Sequence, residues 1–315
     1  MTHPDAHEAT ADSPDEFGSG LYDNAAQLDD ALPDIDWTIL PEGCFPVTFT
    51  APSGQLAGIA AGDPTAPRVL LVPGVTGSKE DFILMFPLLV RAGYRVESYD
   101  LAGQYQSADA GPENLRPPRQ SYDHDLFVDD MIAVLESGTT PAHVLGYSFA
   151  ATVAQLALVA RPDLFASIAL LSAPPQSGQG FRGIKRIGKL SNLATGKVGA
   201  ALMVWGVTRN LNGAPHGRTV LVHERFRFTR RASVTDIMGL MMHAPELRAP
   251  LASSSVPKLV AVGEHDLWPL DLHSAFARDI GATIAVYRTG HSPCETSPHQ
   301  LVRDLLSLYE KSDYS

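Results

Sequence analysis

Ala142-His143-Val144-Leu145-Gly146-Tyr147-Ser148-Phe149-Ala150 is a short β-type run that ends in Gly-x-Ser-x-Ala and passes directly into an apolar helical stretch over 151–160. A strand that turns into a helix at Gly-x-Ser-x-small is the sequence form of a nucleophile elbow. Ser148 would occupy its tip. Gly146 and Ala150 flank it two residues away on either side, and both need to be small because strand and helix pass close together around a strained turn. A serine in an ordinary tight turn would satisfy the five-residue pattern alone; the strand before it and the buried helix after it are what favour the elbow.

A serine hydroxyl is a weak nucleophile near neutral pH and needs an adjacent base, itself oriented by a carboxylate. Gly263-Glu264-His265-Asp266 puts Asp266 just past the apolar run 258–263, and Thr289-Gly290-His291-Ser292-Pro293 puts His291 in the loop after the run 283–287. The order Ser148, Asp266, His291 is the one associated with such an elbow. Each falls at the carboxyl end of a strand, where open α/β sheets place their sites. Glu264 and Asp271 are the alternative carboxylates, and His265 the alternative base. Cys294 lies three residues past His291, but no elbow precedes it.

Acyl transfer also requires donors aimed at the developing oxyanion. The loop Pro73-Gly74-Val75-Thr76-Gly77 follows the apolar run 68–72, where one such donor is expected. The backbone N–H groups of Val75 and Phe149 are therefore the candidate oxyanion hole; the alternative is an ordinary Gly-rich connector. The loop lacks both Gly-x-Gly-x-x-Gly and a Gly-Lys-Ser/Thr ending, so it does not read as a phosphate cradle. No cofactor and no metal is expected.

A hairpin is predicted from 45–50 and 55–60 around Pro52-Ser53-Gly54, and further strands from 68–72, 94–99, 166–171, 258–263 and 283–287. Helices are predicted over 79–91, 122–135, 151–160, 272–280 and 298–308, with Ser78 and Asp81 as a capping box for the first of these. Strands alternating with helices give an α/β protein with a doubly wound, mostly parallel sheet. From 174 to about 251 the alternation gives way to a mostly helical, basic stretch.

Taken together, the elbow, the Pro73–Ser78 loop, Asp100-Leu101-Ala102-Gly103, Gly263–Asp266 and Gly290-His291-Ser292-Pro293 resemble the α/β-hydrolase superfamily over about residues 45–312. The resemblance implies a central eight-stranded, mostly parallel sheet, a Ser148–His291–Asp266 triad, and a helical cap inserted after the sixth strand. The expected division is an acidic, disordered tail over 1–36, a core over 37–173 and 257–315, and a cap over 174–256. The oxyanion loop begins Pro-Gly where the family often has His-Gly, and Ala150 replaces the last elbow glycine. Neither change removes a catalytic atom. Relatives with an aspartate nucleophile, such as haloalkane dehalogenases and epoxide hydrolases, are disfavoured by Ser148. The expected activity is hydrolysis of a carboxylic ester or thioester. Carbon–carbon bond hydrolysis, cofactor-free peroxidation and a non-catalytic binding role are the alternatives.

Composition bounds the rest. The chain has 315 residues, 44% of them hydrophobic, and a net charge of −11. No run approaches the ~20 apolar residues needed to cross a bilayer and no signal pattern opens the chain, so a cytoplasmic protein without membrane association is expected. The two cysteines, Cys44 and Cys294, read as free thiols. Residues 1–67 carry 12 acids and no Lys or Arg, whereas 182–231 carry 11 Lys and Arg against the single acid Glu224. Arg225, Arg227, Arg230 and Arg231, alternating with Phe226 and Phe228, suit a solvated face, an anionic substrate, a membrane surface or a contact with the acidic tail folded over the cap. The apolar runs 200–207 and 238–242 suit a hydrophobic acyl substrate or simple packing of the cap. No nucleic-acid partner is indicated.

Overall fold

The computed structural model describes residues 24–180 and 215–312. Eight strands form one sheet: β1 (Phe45–Ala51), β2 (Gly54–Ala61), β3 (Arg68–Val72), β4 (Arg95–Tyr99), β5 (Ala142–Tyr147), β6 (Phe165–Leu171), β7 (Lys258–Gly263) and β8 (Thr283–Tyr287). Their spatial order is β1-β2-β4-β3-β5-β6-β7-β8. β1 with β2 and β2 with β4 are antiparallel, and every other pairing is parallel. The order reverses between β3 and β5, which leaves a crevice beyond their carboxyl ends, the favoured place for a site in a doubly wound sheet.

Because successive strand side chains point to opposite faces, β3 feeds two cores at once. Leu70 and Val72 join one apolar cluster, with Val144, Ile168, Leu170 and Val260; Val69 and Leu71 join the other, with Leu145, Ala169, Leu171 and Ala261. Helices α1 (Ala25–Asp30), α2 (Phe86–Arg91), α3 (His124–Glu136), α4 (Phe149–Ala160), α5 (His216–Phe228), α6 (Arg231–Met241), α7 (Arg248–Ser253), α8 (Leu270–Asp279), α9 (Pro293–Thr296) and α10 (Pro298–Ser312) complete the described chain. The first cluster lies under α3, α4 and α8, the second under α2 and α10. The helices between β6 and β7 straddle both: Leu221 of α5 joins the second, while Val234, Ile237, Met238 and Met241 of α6 join the first. Met238 and Met241 thus pack the cap onto the core, and the run 200–207 lies outside the described residues.

Two expectations need correction. The helix predicted over 79–91 is a short 3₁₀ turn, Lys79–Phe82, followed by α2, because Pro87 in its first turn has no N–H to carry a helical ladder through from the residues before it. Asp81 Oδ2 does accept the Ser78 N–H at 3.3 Å, the reach-back half of a capping box. The acidic tail expected over 1–36 is structured from residue 24. Asp29, nearly buried, accepts the N–H groups of His299 (2.9 Å) and Gln300 (3.1 Å) and both of their side chains, so it supplies the negative N-terminal cap that α10 lacks in its own first turn. Asp34 accepts the Gly217 N–H of α5, and the Trp37 ring carries the Arg218 guanidinium at 5.0 Å. The acidic segment 24–37 therefore straps the core to the cap; residues 1–23 lie outside the described ones.

Candidate active site

β5 is buried along its whole length and ends at Ser148, whose φ of 53° and ψ of −116° put a non-glycine residue in a sparsely populated region of backbone space. The turn is that tight because strand and helix nearly touch. A Cβ on Gly146 would meet the Ala150 carbonyl oxygen at 2.5 Å and Ala151 Cα at 2.7 Å. The Phe149 N–H, at the first position of α4, points out of the helix with no acceptor four residues back.

Ser148 Oγ stands 3.2 Å from His291 Nε2, and His291 Nδ1 stands 2.5 Å from Asp266 Oδ1. Asp266 is held in place by the N–H of Leu267, also on Oδ1, at 2.6 Å. The Asp266 turn and the His291 loop are pressed together at Gly263, where a Cβ would collide with the Thr289–Gly290 backbone. Burial would push the Asp266 carboxyl up, but hydrogen bonds and charge from His273 and His291 hold it at about 2, below its ordinary 3.8. Tyr147 and Trp268 flank the His291 ring at 5.4 and 5.9 Å. The Tyr147 hydroxyl shares a 2.8 Å hydrogen bond with Ser292, fixing the base of the histidine loop.

The loop after β3 closes as a β-turn, with Gly77 N–H donating to Gly74 O at 3.0 Å and Val75 and Thr76 at its corners. Thr76 has φ 61°, the left-handed corner of a type II turn, an unusual position for a β-branched residue. Gln104 holds it there: the Thr76 N–H donates to Gln104 Oε1 at 2.6 Å. Gly74 lies against the nucleophile, since a Cβ there would meet Ser148 Cβ and Tyr147 O at 3.0 Å. Val75, the candidate donor, thus follows directly on a backbone that touches Ser148.

The alternative groups stand elsewhere. His265 and Asp271 are exposed, and Glu264 pairs with His265 at 3.3 Å at the surface. Cys294 is fully buried in α9, and burial pushes its thiol well up, which disfavours the thiolate. Among the described residues no group of three or more His, Cys, Asp or Glu is placed to hold a metal ion.

Sequence reasoning missed three contributors. Gln104 carried no signal, since glutamine at a loop gives no pattern. His273 stood among 11 histidines, seven residues past Asp266 on α8. The third is an ionic cluster. Arg218 donates to Asp81 (2.6 Å) and through two nitrogens to Glu295 (2.7 and 2.9 Å), and Arg225 donates to the same Asp81 oxygen (2.8 Å). Both arginines are buried, so Arg225 is no part of a solvated basic face. Asp81 follows the Gly74–Gly77 turn and Glu295 follows the His291 loop, so α5 clamps both sides of the candidate site. Of its neighbours, Arg230 pairs with Glu113 and Arg227 is exposed.

A model of the alpha/beta hydrolase family matches residues 69–305. The pea (Pisum sativum) protein strigolactone esterase RMS3 is 24% identical over 231 residues, which cover 70% of this chain and 84% of the pea protein. Among solved structures, a bromoperoxidase from Bacillus anthracis superposes with a TM-score of 0.68 at 16% identity, covering 84% of this chain and 100% of that one. A hydrolase from Pseudomonas aeruginosa superposes with a TM-score of 0.67 at 20% identity, covering 84% and 97%. At these identities the structural likeness is one of fold.

Proposed function

Because the chain belongs to the alpha/beta hydrolase family, we propose that it is a serine hydrolase that cleaves a carboxylic ester or thioester through an acyl-enzyme. The observation that carries this reading is the hydrogen-bonded run from Ser148 Oγ through His291 to the buried Asp266 carboxylate. Ser148 Oγ attacks the acyl carbon while His291 Nε2 takes its proton. The carbonyl oxygen gains a negative charge that the N–H groups of Val75 and Phe149 receive. Collapse expels the alcohol or thiol, to which His291 returns the proton. Water, deprotonated by the same nitrogen, then attacks the acyl-enzyme, and the acid departs with Ser148 restored. Asp266 keeps the imidazole in the tautomer that leaves Nε2 free to accept.

The name of the pea relative as an esterase is in keeping with this chemistry. The substrate class we assign is a small molecule with an apolar acyl part, bound beneath the cap without a cofactor. The test is labelling with a fluorophosphonate probe, comparing wild type with Ser148→Ala and His291→Ala and mapping the adduct by mass spectrometry. Labelling at Ser148 that disappears in both variants, with turnover of p-nitrophenyl esters, is the expected result. A folded wild type that neither labels nor hydrolyses would sink the reading.

A further inference from the structure

Oδ1 of Asp266 is occupied by His291 and the Leu267 N–H. Its other oxygen faces a second imidazole: Oδ2 lies 3.0 Å from Nε2 of His273, and both side chains are fully buried. None of Oδ2 and the two ring nitrogens of His273 has an aligned hydrogen bond among the described residues, the close Oδ2–Nε2 approach included. Leaving a buried carboxylate oxygen and a buried imidazole unpaired is costly for each. At 3.0 Å, a proton on His273 Nε2 brought into line by a small turn of the ring relieves that cost for both.

The surroundings hold the two rings in register. Trp268, itself buried, stands edge-on to His273 at 6.2 Å and tilted to His291 at 5.9 Å, and its Nε1–H donates to Gly180 O at 2.6 Å. Other ionisable groups on the adjoining elements stand outside the contact. Asp271 and Asp279 of α8 and His265 of the strand-end turn are exposed, and Glu264 pairs with His265.

We propose that His273 is a positioning residue of the active site, donating Nε2–H to Asp266 Oδ2 so that the carboxylate stays in the rotamer that faces His291. The unit is then Ser148–His291–Asp266–His273, two imidazoles on one buried carboxylate. This rests on the hydrolase reading of the same site. His273 touches no reacting atom; its effect passes through Asp266. Two consequences follow from removing its proton donor. The carboxylate is freer to rotate, which slows the reaction. It also concentrates its charge on Oδ1, which stabilises the His291 imidazolium and moves the acid limb of kcat/KM to higher pH.

The experiment compares wild type, His273→Phe and His273→Gln for fluorophosphonate labelling of Ser148 and for the pH profile of ester hydrolysis. Phenylalanine fills the space without a donor; glutamine can present an N–H to the same oxygen. The phenylalanine variant is expected to label and turn over about 10- to 100-fold more slowly, the worth of a hydrogen bond to a charged group, with KM little changed and the acid limb displaced upward. Glutamine should recover most of both effects. A wild-type rate and an unmoved acid limb in the folded phenylalanine variant overturn the proposal while Ser148 labelling upholds the hydrolase reading. A wild type that fails to label at Ser148 overturns both. Should the phenylalanine variant not fold, ¹⁵N-histidine spectra of the wild type decide: a buried imidazole protonated on Nε2, assigned through the glutamine variant, supports the role, and a bare Nε2 ends it.

Discussion

At the scale of single residues, the site depends on groups held where they would not rest by themselves. Ser148 keeps φ at 53° only because β5 and α4 leave it no other path. Asp266 is the clearest electrostatic case. Its carboxyl sits near 2 instead of 3.8, so its stabilising contribution is complete above the ordinary value and disappears as pH falls through that value to about 2. The contribution amounts to about 2 kcal/mol at neutral pH. Urea denaturation of wild type and Asp266→Asn should therefore give stabilities that converge between pH 5 and pH 2; curves that stay parallel would refute the assignment. The same variant should lose about 10⁴-fold in kcat, because asparagine favours the wrong imidazole tautomer. Steady-state ester hydrolysis measures that loss.

At the scale of elements, two short segments are each fixed by one distant polar side chain. The turn Gly74–Gly77 needs a left-handed corner, and Thr76 supplies it against its own preference because Gln104 grips its N–H. Gln104→Ala should release the peptide beside Val75 and lower kcat about 10-fold, with KM nearly unchanged, since an oxyanion donor acts on the transition state. A variant that raises KM alone would place Gln104 in substrate binding instead. The other segment is α1 and the strap that follows. Asp29→Ala removes four hydrogen bonds from the start of α10 and is expected to cost about 1 to 2 kcal/mol, in the range of a lost N-cap, read as a fall in melting temperature.

At the scale of the whole molecule, the cap and core are joined through buried charge. Arg218 spans Asp81, Glu295 and the Trp37 ring, so one side chain ties the Gly74–Gly77 side, the His291 side, α5 and the N-terminal strap. Arg218→Ala leaves Asp81 and Glu295 with one fewer buried partner and should cost about 3 to 5 kcal/mol in denaturant unfolding. Limited proteolysis of that variant should also cut in the cap before the core. Loss of stability below about 1 kcal/mol would mean that water reaches the cluster and screens it.

Local pattern alone determined much of this protein. Apolar runs marked seven of the eight strands to within one residue at either end, and the run before Ser148 as the eighth, because strand burial is written in consecutive side chains. The elbow was legible because its chemistry needs small residues at set spacing around one serine, and Asp266 and His291 because a strand must end where its loop begins. What the sequence could not carry was every contact whose partners are far apart along the chain. The break that Pro87 makes before α2 went unread in a helix expected over 79–91, and only packing explains why Asp29 belongs to α10, 270 residues away. Gln104 on Thr76, His273 on Asp266 and Arg218 between Asp81 and Glu295 have no local signature. A polar side chain declares its role only once folding has removed water from it and left a single partner within reach.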